Sequence, residues 1–250
     1  MILKRTKKTN KQTIRCPPQS GRAFFKGENM KKLFSILLRI ACIVCLAACG
    51  SGTNKPAESV KPAESQEPVA EEVKFTRGTW YSDRTEFVNE STDLHIVLND
   101  SFVALSDEEL VQNYMNGEDV DLSSWTDKDY EEQLSIPDCA FINYYTGSNT
   151  GILYENLAAE KALSITEDMY INISTGRLKN SYTDMVLGDI YDITLCGEDY
   201  RAIDLEYSTG NVNISQTMAV RKAGNYMTII VFTTTNGNTD ALNEMIGFFK

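Results

Sequence analysis

The most constraining stretch of this chain is a run of four strand-like segments near its C-terminus. Asp192–Cys196, Tyr200–Tyr207, Ile214–Lys222 and Tyr226–Thr234 are parted by Gly197-Glu198-Asp199, Ser208-Thr209-Gly210-Asn211 and Ala223-Gly224-Asn225. Breaks this tight join antiparallel neighbours, so the segments read as a meander. Within it, Met227-Thr228-Ile229-Ile230-Val231-Phe232 is apolar on both faces. That pattern belongs to a central strand covered from both sides. Asn236-Gly237 ends the strand, and Asn238 or Thr239 caps a last helix with Leu242, Met245, Ile246 and Phe249 at helical spacing.

The N-terminal part has another character. Met30-Lys31-Lys32 precedes an apolar run from Leu33 to Ala48, broken by Ser35 and Arg39, and the run closes on Leu46-Ala47-Ala48-Cys49-Gly50. Basic residues, an apolar segment and small residues before a cysteine resemble a bacterial lipoprotein signal (a lipobox). Cys49 would then carry diacylglycerol and palmitate and become the mature N-terminus. The run is shorter than the ~20 apolar residues of a spanning helix and suits a signal segment better. An uncleaved anchor is the alternative, and either way the body faces outward. Residues 1–29 are basic and lack apolar periodicity, so they read as an upstream extension, with translation starting at Met30.

After Cys49, Lys55-Pro56-Ala57-Glu58-Ser59 recurs as Lys61-Pro62-Ala63-Glu64-Ser65. Almost no apolar side chain is present, so residues 49–72 read as the lipidated cysteine and a disordered tether. A flexible coil of that length spans about 25–30 Å. Residues 73–250 form one globular domain, within the usual range of about 100–200 residues.

Charge divides at the same cysteine. Residues 1–48 hold 11 of the 24 Lys+Arg, and the chain from Cys49 onward has a formal charge of −21. Such a surface repels phosphate backbones, which argues against nucleic acid, and leaves membrane attachment to the acyl chains. Of six cysteines, only Cys139 and Cys196 lie in the domain. They read as buried thiols or as one disulfide, and their spacing matches no metal motif.

Further elements follow from local pattern. Thr79-Trp80-Tyr81 and Phe87-Val88 suggest strands around Ser82-Asp83-Arg84, and Asp93–Leu98 alternates, with Leu94, Ile96 and Leu98 on one face. Ser106-Asp107-Glu108-Glu109 is a capping box; Leu110, Val111 and Tyr114 form the buried stripe and Gly117 is the stop. Thr126–Asp129 starts a short helix carrying Tyr130 and Leu134. Cys139–Tyr145 and Ile152–Leu157 read as a hairpin around a five-residue loop, Gly147–Gly151. A helix over Thr166–Leu178 carries Met169, Tyr170 and Ile173.

Leu94-His95-Ile96-Val97-Leu98, Ser106–Leu110, Gly147-Ser148-Asn149, Tyr154-Glu155-Asn156-Leu157 and Met227–Val231 together resemble the PsbP-like fold. More narrowly, the domain resembles uncharacterised lipoproteins of clostridial bacteria. The resemblance covers residues 78–250 and departs at Asn99-Asp100-Ser101-Phe102, where a Pro and a Trp would close the strand. It implies an α+β fold: an α/β/α sandwich with a central, mainly antiparallel sheet and helices on both faces. It also implies a protein-binding habit, since plant members attach to photosystem II and a eukaryotic relative contacts the GTPase Ran. None of their binding residues maps onto this sequence.

Catalytic signals are weak. His95 is the only histidine, and no Gly-x-Ser-x-Gly elbow accompanies it. Glu118, Asp119, Asp121, Asp127 and Asp129 read as a solvated acidic loop or an oxygen-ligand cation site, without the EF-hand spacing. Tyr144, Tyr145 and Tyr154 flank the hairpin as strand residues or as a contact patch. The reading is therefore an extracytoplasmic lipoprotein held at the cell membrane through Cys49. It acts without catalysis, cofactor or metal, as a protein-binding or envelope-complex accessory domain. The alternatives are a small-ligand-binding lipoprotein serving transport or sensing, and a carboxylate-dependent hydrolase.

Overall fold

The protein is described by a computed structural model covering residues 75–115, 120–182 and 184–250, the Asp127 side chain excepted. The expectations for residues 1–29, 30–48 and 49–72, including Cys49, and those for Gly117, Glu118 and Asp119, lie outside the described residues.

The strands pair into two antiparallel sheets. The first contains β1 (Thr79–Tyr81), β2 (Glu86–Asn89) and β3 (Leu94–Val97), in that order. The second contains β4 (Val103–Ala104), β5 (Ser135–Ile142), β6 (Asn149–Asn156), β7 (Val186–Leu187), β8 (Tyr191–Leu195), β9 (Glu198–Thr209), β10 (Val212–Ala223) and β11 (Tyr226–Thr235). Its order is β4-β5-β6-β11-β10-β9-β7, with β8 also paired to β9. The meander is therefore real, and β11 lies between β6 and β10 with nearly every residue buried. Each fully buried Ile or Phe there contributes roughly 1.5–3 kcal/mol.

One face of the large sheet packs on α1 (Asp107–Tyr114) and α3 (Glu167–Ser181), where Leu110, Tyr114, Tyr170 and Leu178 meet Leu153, Met218 and Ile229. The opposite face carries the small sheet and α4 (Thr239–Ile246), with Phe87, Ile96 and Met245 over Phe141, Ile152 and Phe232. The fold is α+β, as expected, but its second face is covered mainly by strands, with one helix beside them. The reason lies in β3. Its alternation buries Leu94 and Ile96 and exposes His95 and Val97, so the strand is suited to lie on a sheet rather than inside one. The C-terminal residues close its edge, through Val97 N–H to Phe248 O at 2.9 Å and Lys250 N–H to His95 O at 2.9 Å.

Several local expectations shift. The β5–β6 loop is Asn143–Ser148, so Asn149, Thr150 and Gly151 belong to the strand rather than the turn. Asn143 holds that loop, its side-chain oxygen accepting from the Tyr145 and Thr146 amides. In α3, Met169 and Ile173 face water, while Tyr170, Ile171, Ser174 and Leu178 are buried. Of the expected Met169, Tyr170 and Ile173, only Tyr170 faces the core, where Ile171, Ser174 and Leu178 join it. Leu134 falls after α2 (Asp127–Glu132) and is exposed. Cys139 and Cys196 are free thiols, the first buried and the second half-buried, so no disulfide joins them.

The ends of β11 define two ends of the molecule. At its start, Tyr226 stacks against Phe75, whose ring also meets Tyr154 at 4.5 Å and Tyr130 at 5.9 Å. Phe75 thus packs at the Tyr226 end of the sheet. The far end, at Thr235, is about 30 Å away at the usual rise per strand residue. There the β5–β6 tip, the β9–β10 turn and Asn236-Gly237 gather, with the Thr235 hydroxyl donating to Thr146 O at 3.3 Å.

Candidate functional site

The far end of the sheet holds two clefts. Beyond α4, the outward residues of β9 and β10 turn polar. Asp204 stands opposite Thr217 and Glu206 opposite Ser215, on the face that elsewhere carries Ala202 and Ala219. The Thr217 hydroxyl donates to Asp204 Oδ1 at 2.6 Å, and the Tyr191 hydroxyl to the same oxygen at 3.0 Å. Burial and the Asp204 charge push the Tyr191 hydroxyl up to about 12, so it stays a donor. Thr239 and Leu242 of α4 close this row into a cleft of about 210 Å³.

A larger cleft of about 460 Å³ wraps the adjoining end of β9 and β10, with Asp184, Val186, Ser208, Asn213 and Asn236 on its walls. The Ser208 amide donates to Asp184 Oδ2 at 3.0 Å, which fixes that carboxylate at the rim. The two clefts are neighbours and share Glu206, Ser215 and Gly237 in their linings. Among the described residues, the two linings together contain three carboxylates and no Lys, Arg or His. Tyr207 also borders the larger cleft, but its ring lies on the other face of β9, in the core against Tyr182 at 4.6 Å. Sequence patterning could not find this site, because it depends on where α4 stops covering the sheet.

The residues singled out from the sequence lie elsewhere. Cys49 is outside the described residues. His95 stands on the outer face of the small sheet, its Nε2 2.9 Å from Glu86 Oε1. Cys196 approaches His95 only through the backbone: the His95 amide donates to Sγ at 3.3 Å, and Sγ to His95 O at 3.2 Å. The acidic loop does not assemble either. Asp121 accepts from the Ser123 hydroxyl and amide, and Asp129 from the Thr126 hydroxyl and amide. Both carboxyls fall below their ordinary range because these donors hold the charged form. Among the described residues, no three His, Cys, Asp or Glu side chains converge as a metal-binding group. The tyrosines separate: Tyr154 is buried and bonded to Thr92 at 2.8 Å, Tyr144 is partly exposed, and Tyr145 is 97% exposed at the β5–β6 tip.

Two buried carboxyls are not evident from the sequence. Asp138 accepts from the Gly78 amide and from Asn89 Nδ2, each at 2.8 Å, and so ties the small sheet to β5. Burial raises its pKa despite these donors and Arg77. Glu155 of β6 is 2% exposed. Burial pushes its carboxyl up to about 8; the Tyr170 hydroxyl opposes that rise, Glu160 adds to it and Arg177 opposes it. A charged residue inside each of the apolar runs Ile136–Ile142 and Ile152–Leu157 was the available signal.

No protein-family model and no curated protein matches the sequence. Solved structures similar to it include LpqN of Mycobacterium tuberculosis, described as involved in cell envelope biogenesis. It shares 12% identity, with 62% of this chain and 80% of that chain covered, at a TM-score of 0.37. Cyanobacterial PsbP from Synechocystis sp. PCC 6803 shares 9% identity, with 75% and 94% covered, at a TM-score of 0.35. Likeness this loose carries nothing about activity or partner.

Proposed function

We propose that the protein is a lipid-anchored accessory domain on the extracytoplasmic face of the cell membrane, which binds a partner protein through the cleft between β9, β10 and α4. The observation that carries this is the placement of the two ends. The chain arrives from Cys49 at Phe75, beside the first residue of β11, and the cleft lies past the last residue. An acylated Cys49 would attach the domain by its Phe75 end, and a flexible tether would leave the opposite end, with the cleft, free to meet a partner. Glu206 and Asp204 are exposed there, and the histidine and Cys196 are remote from them. That favours recognition over nucleophilic chemistry. A small-ligand receptor is the second reading, supported by a cleft volume of about 460 Å³, which falls in the usual range for such sites.

The test uses the full chain in cells. Cys49→Ala is expected to move the protein from the membrane fraction to the soluble or secreted fraction. Crosslinking of the wild type is expected to recover a discrete protein neighbour. A Cys49→Ala variant that still sediments with membranes, or a wild type that yields no neighbour, would overturn the proposal.

A further inference from the structure

We infer that the two sheets hold one internal water molecule between them, bound by the Thr228 and Tyr200 hydroxyls under the β2–β3 turn. The site is separate from the clefts and independent of the accessory role. It lies on the face of the large sheet that the small sheet covers, where Tyr154, Tyr200, Tyr226 and Ile230 are buried. Alternation along β11 puts Thr228 on that face, between Tyr226 and Ile230. Strand pairing makes it one step of a polar row, with Tyr154 of β6 opposite it on one side and Arg221 of β10 on the other. The Arg221 guanidinium in turn lies 5.9 Å over the Tyr200 ring of β9. Four polar side chains thus cross four neighbouring strands within an otherwise largely apolar layer.

The β2–β3 turn roofs this row through Thr92. The Thr92 and Tyr154 hydroxyls are 2.8 Å apart, and Arg221 Nη1 donates to Thr92 O at 3.3 Å. Arg221 Nη2 also pairs with Glu198 at 2.6 Å. Tyr154 and Arg221 are therefore satisfied. Thr228 and Tyr200 are not: both side chains are fully buried, and neither hydroxyl has a hydrogen-bond partner among the described residues. Native interiors satisfy such groups with protein or with ordered water, because a bare buried hydroxyl is costly. Each hydroxyl can both donate and accept, so the pair supplies the contacts that a buried water needs. The adjoining row on the same face carries Ala219 opposite Ala202, side chains short enough to admit a molecule beside the two hydroxyls. The water completes the polar seam between the small sheet and the large one.

Urea unfolding of the full-length protein tests the site with two conservative variants. Thr228→Val and Tyr200→Phe each remove one hydroxyl and keep the volume of the side chain. With a shared water, each variant loses the water and strands the other hydroxyl. Each is therefore expected to raise the unfolding equilibrium constant about tenfold. The double variant strands neither hydroxyl and is expected to be no less stable than either single one. Single variants as stable as wild type or more so, or losses that add in the double variant, would overturn the inference. A crystal structure of the wild type gives a readout independent of stability. It is expected to show one ordered water within about 3.2 Å of both hydroxyls. Either hydroxyl bonded directly to a protein atom, with no water between the two, would overturn the inference equally.

Discussion

Glu155 shows how one residue can hold a pH response that strand periodicity does not announce. In the unfolded chain its carboxyl titrates near its ordinary value of 4.5; in the fold it is pushed up to about 8 by burial. The folded state therefore keeps a proton that the unfolded state releases. The stability due to that proton is fully present below pH 4.5 and is lost as pH rises through 8. The loss is on the order of a few kcal/mol. Urea unfolding of Glu155→Gln against wild type at pH 5 and pH 8.5 checks this: the variant is expected to gain relative stability at the higher pH. Glu155 was legible as a member of an apolar strand and no further. Its environment comes from Tyr170 and Arg177 of α3 and from Glu160, which only tertiary packing brings together. Asp138 is a similar case, since its partners Gly78 and Asn89 come from the other sheet.

At the scale of elements, local chemistry was readable wherever the physics is local. The α1 capping box stands as expected, with the Glu109 amide donating to Ser106 Oγ at 3.2 Å and the Ser106 amide to Glu109 Oε2 at 2.8 Å. Ser106→Ala is expected to cost about 1 kcal/mol in equilibrium unfolding. Gly151 was legible only as a turn residue, because glycine near a hairpin tip usually supplies φ freedom. In the fold it is a strand residue beneath Tyr114, and an added Cβ would overlap that ring and hydroxyl. Gly151→Ala is expected to destabilise by roughly 1–3 kcal/mol through overpacking, with Tyr114→Leu in the same chain recovering part of the loss. The three-layer arrangement was half readable. The two-sided apolar pattern of β11 required cover on both faces, whereas the one-sided pattern of β3 needed the structure to show that a second sheet supplies much of it.

For the whole molecule, the organising fact is polarity along β11. Phe75 packs at one end and an acidic cleft lies at the other. The central claim is that the end remote from Phe75 meets the partner. A photoreactive residue placed at Tyr145, beside the cleft, and at Glu131, near the entry end, tests it in living cells. Protein adducts are expected from position 145 and none from position 131; adducts from position 131 alone, or from both in equal yield, would place the partner elsewhere on the domain.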